Sequence, residues 1–202
     1  MKIALVTQYL EGHGGTERVI SELVNHDTKN IYKIIIPKSG KPEWLQWFSR
    51  KGGYDVKICK NAGVSKRQQF IIDNLVDFKP DIALCLNGFA SEAAHRAKVE
   101  HGLDFKIISW VHVSIKESGD FNTQNISYAD YHLAISTGIQ KQLIDFGLDP
   151  QKVFLIFNPI NISQSRTISE PADESFHAVY VGRVILDGQK KYANDANCFV
   201  KA

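Results

Sequence analysis

MKIALVTQYLEGHGGTERVISELV, residues 1–24, has the pattern of a strand, a glycine-bearing loop and a helix in succession. Its run Ile3–Val6 is apolar throughout, which is typical of a strand buried on both faces of a parallel sheet. After the loop, one helix face is marked by four apolar residues, Val19, Ile20, Leu23 and Val24. This opening stretch therefore predicts a buried strand that leads through a loop into an amphipathic helix.

The loop between that strand and that helix contains Gly14 and Gly15, and Thr16 is a candidate cap for the helix. A helix N-terminus carries unpaired N–H groups and about half a positive charge, so a phosphate or a carboxylate fits here. A tight turn without a ligand fits the same residues equally well. The loop is not G-x-G-x-x-G and no Lys follows its glycines, so both common nucleotide-binding motifs are absent.

Strand, loop and helix patterns alternate about six times along residues 1–160. They include an edge strand at Tyr54–Cys59, a helix at Lys66–Phe78 with Ser65 as its cap, and a helix at Pro42–Lys51. This alternation predicts an α/β fold with a parallel sheet and helices on both faces. Ligands bind such sheets at the carboxyl ends of the strands. The loops at that edge start at Gln8, Asn87, His112, Ser136 and Asn158.

The composition limits the classes of function. The net charge is +2 and the basic residues are spread along the chain, so we expect no nucleic-acid partner. The three cysteines are far apart, and no His/Cys cluster has the spacing of metal ligands. The first residues already have a strand pattern, and no apolar run reaches 18 residues, so we expect a cytoplasmic protein.

The chain divides by composition into three parts. Residues 1–160 carry the repeating pattern, residues 161–175 have few apolar side chains, and an apolar strand pattern resumes in residues 176–202. The last part is too short to enclose a core. We therefore expect one domain, a linker, and the start of a truncated second domain.

Several segments resemble one family of enzymes in their order and spacing. They are Gly14–Arg18, Ser109–Ser114, Tyr128–Ser136, Phe157–Ile160, Val181–Arg183 and Gly188–Lys190. They are similar to family-four (group 1) retaining glycosyltransferases of the GT-B class, which have two facing Rossmann-like domains. Among these, the resemblance is strongest to bacterial lipopolysaccharide core galactosyltransferases. It implies a Rossmann-like amino-terminal half that binds the acceptor, and the beginning of a donor-binding half.

The resemblance implies an activity and its partners. A hexose, with galactose and glucose as candidates, would pass from a nucleotide diphosphate sugar to a glycolipid or an oligosaccharide acceptor, with retention at the sugar carbon. No metal or other cofactor is implied, since no D-x-D pair is present. The Trp-rich and basic residues 42–51 are a candidate for peripheral contact with the inner face of the membrane, with core packing as the alternative. We expect the chain alone to be inactive.

The same resemblance assigns roles to individual residues of the first part. Gly14 and Gly15 would let the backbone approach the donor, and Glu17 would help to fix the helix start. His112 would contact the donor sugar at the reaction centre as the catalytic residue. Without the resemblance, the simpler interpretation of His112 is a turn residue whose hydrogen bonds are satisfied locally.

Further roles follow for the later strand ends. Ser136 and Thr137 would line the cleft and Asn158 would contact the substrate, whereas Arg183 and Lys190 would hold the donor diphosphate. A helix cap at Ser136 and Thr137, and solvated surface charges at Arg183 and Lys190, are the simpler alternatives.

One motif of the family occurs in a different part of this sequence. The family's donor domain carries a Glu-x7-Glu pair, and Glu92 and Glu100 have that spacing here. They lie on a predicted helix of the first domain, so we interpret them as two acidic residues of a solvated helix. A non-catalytic Rossmann-like module that binds a carbohydrate or a partner protein remains the alternative function.

Overall fold

The computed structural model describes residues 1–10, 14–38, 42–48, 53–59, 63–116 and 123–159. All of them belong to Met1–Ile160, the first of the two units into which the chain divides. The predicted linker at 161–175, the predicted second domain at 176–202, and with them Arg183 and Lys190, lie outside the described residues.

Seven strands form one parallel sheet in the order β3-β2-β1-β4-β5-β6-β7. The central strand β1 pairs on both sides, with Val6 opposite Ile35 of β2 and Cys85 of β4. The predicted parallel sheet is confirmed. The strands are β1 Lys2–Val6, β2 Ile31–Ile36, β3 Tyr54–Ile58, β4 Ile82–Cys85, β5 Lys106–Val111, β6 Tyr131–Ala134 and β7 Val153–Leu155.

Helices connect these strands and cover both faces of the sheet. The α-helices of the described residues are α1 Gly15–His26, α2 Val64–Phe78, α3 Gly88–His101 and α4 Thr137–Asp145. Shorter 3₁₀ segments lie at Pro42–Trp47, Thr123–Tyr128 and Pro150–Lys152. The architecture is therefore the predicted Rossmann-like α/β fold.

The two faces of the sheet have different covers. Alternate side chains of the strands, such as Leu5 and Ile34, pack with α1 and the Pro42–Trp47 segment on the first face. On the second face, α2 and α3 pack over the middle of the sheet and α4 packs over β6 and β7. The right-handed rule explains this division, because connections that run in opposite directions from the centre of the sheet place their helices on opposite faces.

The same rule leaves part of the first face without a cover among the described helices. The connections that follow β4 all place their helices on the second face. An apolar recess of about 230 Å³ remains over β4–β7 on the first face. Its walls include Ile3, Leu84, Ile108, Trp110, Leu133 and Ile156.

Two predicted helix caps are wrong. Helix α1 begins at Gly15 and α2 begins at Val64. The capping residues are Gly14 and Gly63, and neither makes a side-chain bond. Thr16 and Ser65 therefore lie inside the first turn, where a hydroxyl no longer faces the free N–H groups that a cap accepts from. Helix α3 ends at His101, and Gly102 after it adopts the left-handed conformation typical of such a cap, with φ of 63°.

The predicted helix at Pro42–Lys51 is described over residues 42–48, where it is a 3₁₀ segment from Pro42 to Trp47. Trp44 and Phe48 are buried in the core of the first face, and Asn25 of α1 donates to the Trp47 carbonyl at 2.8 Å. These aromatic side chains therefore pack in the core. The edge position of β3 is confirmed.

None of the helices in the described ranges combines the length and the apolar character that a membrane span requires.

Candidate functional site

The carboxyl ends of β1, β4 and β5 lie next to one another in the sheet. With strands about 4.8 Å apart, their exits fall within about 10 Å. The chain leaves β1 toward α1 on one face and leaves β4 toward α3 on the other. Such a divergence opens a crevice at the carboxyl edge, and ligands of open α/β sheets bind there.

The start of α1 forms one wall of this crevice. Gly14 has an extended backbone and caps α1 without any side-chain bond. A Cβ on Gly15 would meet no atom within 4 Å, whereas one on Gly14 would lie 2.6 Å from Glu17 Oε2. Glu17 is buried in the first turn, and its carboxylate folds back over Gly14. The backbone at Gly15 is therefore open to close approach, and the backbone at Gly14 is covered by Glu17.

Asn87 and Thr7 hold the adjoining exits of β4 and β1 together. Asn87 Oδ1 accepts from the Ala90 N–H at 2.9 Å and caps α3, while its Nδ2 lies 3.5 Å from Thr7 Oγ1. Both side chains are buried. The sequence placed a loop at Asn87 but did not indicate Thr7, whose only signal is that it is the first polar residue after an apolar strand.

His112 follows β5 directly and stands edge-on to Trp110, with 4.5 Å between the ring centroids. Its Nε2 is buried and has no hydrogen-bond partner among the described residues. Burial lowers the pKa of the His112 imidazole to about 4, so the ring is neutral at pH 7. An unpaired buried polar group costs about 1–3 kcal/mol. A polar ligand that supplied the missing partner would recover that cost, so His112 is suited to bind one.

Ser136 and Thr137 occupy the start of α4. The Ser136 Oγ accepts from the Ile139 N–H at 3.2 Å, so the simpler interpretation of this residue as a helix cap is correct. Thr137 is the exposed first residue of the helix. Asn158 is also exposed, and it follows β7, whose exit lies four strands or about 19 Å from that of β1. The structure thus brings His112 and Gly15 to the crevice and leaves Asn158 at the margin.

Glu92 and Glu100 are both engaged within the domain. Glu92 is half-buried and accepts from Gln68 at 2.9 Å and from Asn125 at 3.0 Å, so it joins α3 to α2 and to the 3₁₀ segment Thr123–Tyr128. Glu100 pairs with Arg96 on the helix surface at 2.8 Å. The predicted solvated helix face is therefore wrong for Glu92. In the described ranges, no three His, Cys, Asp or Glu side chains form a group that could hold a metal.

Two curated proteins and one solved structure that resemble this chain are galactosyltransferases that act on lipopolysaccharide. Over 95% of its length, the chain is 28% identical to a lipopolysaccharide 1,6-galactosyltransferase of Escherichia coli K12 and 29% identical to the protein of the same name from Salmonella typhimurium LT2. A solved structure of the lipopolysaccharide outer core galactosyltransferase WaaB, in its apo form, superposes on the whole chain with a TM-score of 0.75 and 27% identity. The chain resembles the lipopolysaccharide core galactosyltransferases.

The resemblance predicted from the sequence motifs is therefore confirmed, together with the fold of the amino-terminal half of a GT-B glycosyltransferase. The chain spans 54% and 55% of the two curated relatives and 58% of the WaaB chain. No protein-family model matches the sequence.

Proposed function

We propose that this chain is the acceptor-side half of a retaining glycosyltransferase. In the reaction, a hexose such as galactose passes from a nucleotide diphosphate to a hydroxyl group of a lipopolysaccharide-type glycolipid. The observation that carries the proposal is His112, a neutral ring whose buried Nε2 has no partner among the described residues, at the same sheet edge as the start of α1, where the capping residue Gly14 makes no side-chain bond. The similarity to two galactosyltransferases over nearly the whole chain supports the choice of reaction.

In this proposal each part of the crevice has a task. A neutral imidazole hydrogen-bonds to a sugar hydroxyl without adding charge to the reacting centre. The N–H groups at the start of α1 face the phosphate side of the donor, where the helix dipole favours negative charge. Arg183 and Lys190 bind the donor diphosphate in this proposal, and no metal or further cofactor takes part. The leaving phosphate oxygen accepts the proton of the attacking hydroxyl, which attacks on the face that the nucleotide leaves.

The binding part of the proposal is tested on the purified 202-residue chain. We expect UDP-galactose, UDP-glucose or a core oligosaccharide to shift the amide NMR signals of Gly15 and His112. Replacing His112 with Leu should remove the response, while the matched change His26→Leu, on the exposed end of α1, should leave it intact. Shifts that are equal in both variants, or absent with every sugar, would contradict the proposal.

The catalytic part is tested by a transfer assay. Because Arg183 and Lys190 act from a folded donor half in this proposal, we expect no turnover of a UDP-sugar by the chain alone. Galactose release or transfer above the rate without protein would contradict that expectation. Binding of an oligosaccharide with no response to any sugar nucleotide would instead favour a non-catalytic carbohydrate-binding module.

A further inference from the structure

In the described part of the chain, residues 112–116, which begin the loop at His112, are hydrogen-bonded to α4 through one side chain, that of Gln142. Gln142 Oε1 accepts the Ile115 N–H at 2.9 Å and the Ser114 hydroxyl at 3.1 Å. A backbone N–H can only donate, so the atom that faces Ile115 must be the amide oxygen. One oxygen therefore uses both of its lone pairs to hold two neighbouring residues of this loop.

The loop turns back over the second face of the sheet as it leaves His112. Val111 faces that side, and Ile115 packs against the same apolar cluster that contains Leu143 of α4. Gln142 lies six residues after Ser136 in the chain. That separation corresponds to roughly 9 Å along a helix axis. The loop therefore runs beside α4, and its attachment point is well separated from the helix start.

Helix α4 thus contacts two of the predicted substrate-facing segments. Its first turn contains Ser136 and Thr137, and its Gln142 side chain holds the loop of His112. We propose that Gln142 is a positioning residue, which keeps the His112 loop in register with the Ser136–Thr137 turn. Positioning affects sugar transfer only if His112 faces the donor, so this inference rests on the function proposed above.

Two measurements on the purified chain test the positioning role. The variant Gln142→Met keeps the length and helix propensity of the side chain but removes the acceptor. We expect amide exchange at Ile115 to speed up by about tenfold or more, because the loop opens more often. We also expect the pKa of His112, followed by NMR, to rise from about 4 toward 6.5, because the opened loop lets water reach the ring.

Two matched controls separate positioning from general loosening. Gln140→Met changes another half-buried glutamine of α4, whose amide donates at 3.4 Å to the Val153 carbonyl of β7 rather than to residues 112–116. It should leave Ile115 exchange and His112 titration unchanged. His132, which is buried and bonded to Ser109, should keep its pKa of about 4 in Gln142→Met.

A conservative variant provides the rescue. Gln142→Glu keeps an acceptor at the same reach, so the slow exchange of the Ile115 amide should return. Ser114→Ala removes one bond of the two, and it should speed exchange less than Gln142→Met does. It also serves if Gln142→Met does not fold.

The inference is overturned if Gln142→Met changes neither readout, or if His132 titration moves together with that of His112. These readouts need no sugar, so they are independent of the proposed function. Loss of loop protection without any response of His112 to sugar nucleotides would leave the positioning role intact and remove the proposed function.

Discussion

His132 is buried and His112 is half-buried, and burial lowers the pKa of each imidazole to about 4, with Lys152 adding to the effect at His132. Their surroundings differ. His132 lies inside the sheet, where its Nδ1 shares a hydrogen bond of 2.8 Å with Ser109 Oγ. His112 lies at the exit of β5, and its Nε2 has no partner in the described part of the chain. Burial and a lowered pKa therefore do not mark a site unless a polar atom is also left unpaired.

The largest expected effect is the acid sensitivity of the packed histidine. The pKa of His132 is about 4 in the folded chain and 6.5 for the free side chain, so between these values the unfolded chain binds a proton that the folded chain does not. The contribution of His132 to the free energy of unfolding is therefore complete above pH 6.5 and is lost as the pH drops toward 4. The loss should be roughly 3 kcal/mol.

Urea unfolding at pH 7, 5.5 and 4 measures this loss. His132→Gln should show a flatter pH dependence than the parent chain, whereas His26→Gln, at an exposed position, should follow the parent curve. Parallel curves for all three proteins would show that His132 is not the sensitive group.

Matched replacements test the comparison at neutral pH. His132→Leu leaves the buried Ser109 hydroxyl without its partner, so we expect the free energy of unfolding to fall by about 1–3 kcal/mol. His112→Leu removes a nitrogen that has no partner among the described residues, so we expect a change within about 1 kcal/mol of zero, or a gain. Urea unfolding at pH 7 measures both, and equal losses would mean that the two histidines have the same structural role.

A double-mutant cycle isolates the packed pair. Ser109→Ala alone should lower the free energy of unfolding by about 1–2 kcal/mol, since His132 Nδ1 then lacks its partner. The double variant Ser109→Ala/His132→Leu should lose less than the sum of the two single changes. Strict additivity in urea unfolding would show that the bond contributes no coupling.

The smallest expected effect on the free energy of unfolding concerns two neighbouring glycines of the crevice, of which Gly14 is closely packed and Gly15 is not. Gly15→Ala places a methyl group in open space at the start of a helix, so we expect no loss and a gain of up to about 1 kcal/mol. Gly14→Ala displaces the buried Glu17 carboxylate, so we expect a loss of about 1 kcal/mol. Thermal unfolding of the two variants compares them, and the reverse order would contradict this account of the loop.

Much of the fold was predictable from local patterns. Apolar runs marked the buried strands, because this signal depends on neighbouring residues alone. The caps at Thr16 and Ser65 were mispredicted, since the glycine before each helix already supplies the extended residue at its start. The half-buried position of Glu92 was also missed, because its partners come from other elements.

In the candidate site, too, features that depend on neighbouring residues were predictable and features that depend on distant residues were not. His112 was predicted from the motif around it, and its place at the carboxyl edge follows from the parallel sheet. Gln142 and Thr7 were not indicated, because each acts through a residue distant in the chain, Ile115 and Asn87 respectively. No local periodicity reports such pairs.

The sequence by itself determined the alternation of strands and helices, and with it a shared edge for the loops at His112 and Gly15, since hydrophobic periodicity is a local property. Only the tertiary structure decided which buried polar atoms find a partner. The register of β5 and β6 sets Ser109 opposite His132, while His112 lies beyond the last paired residue of β5, Val111. Partner choice depends on the alignment of distant segments, and that alignment exists only once the sheet has formed.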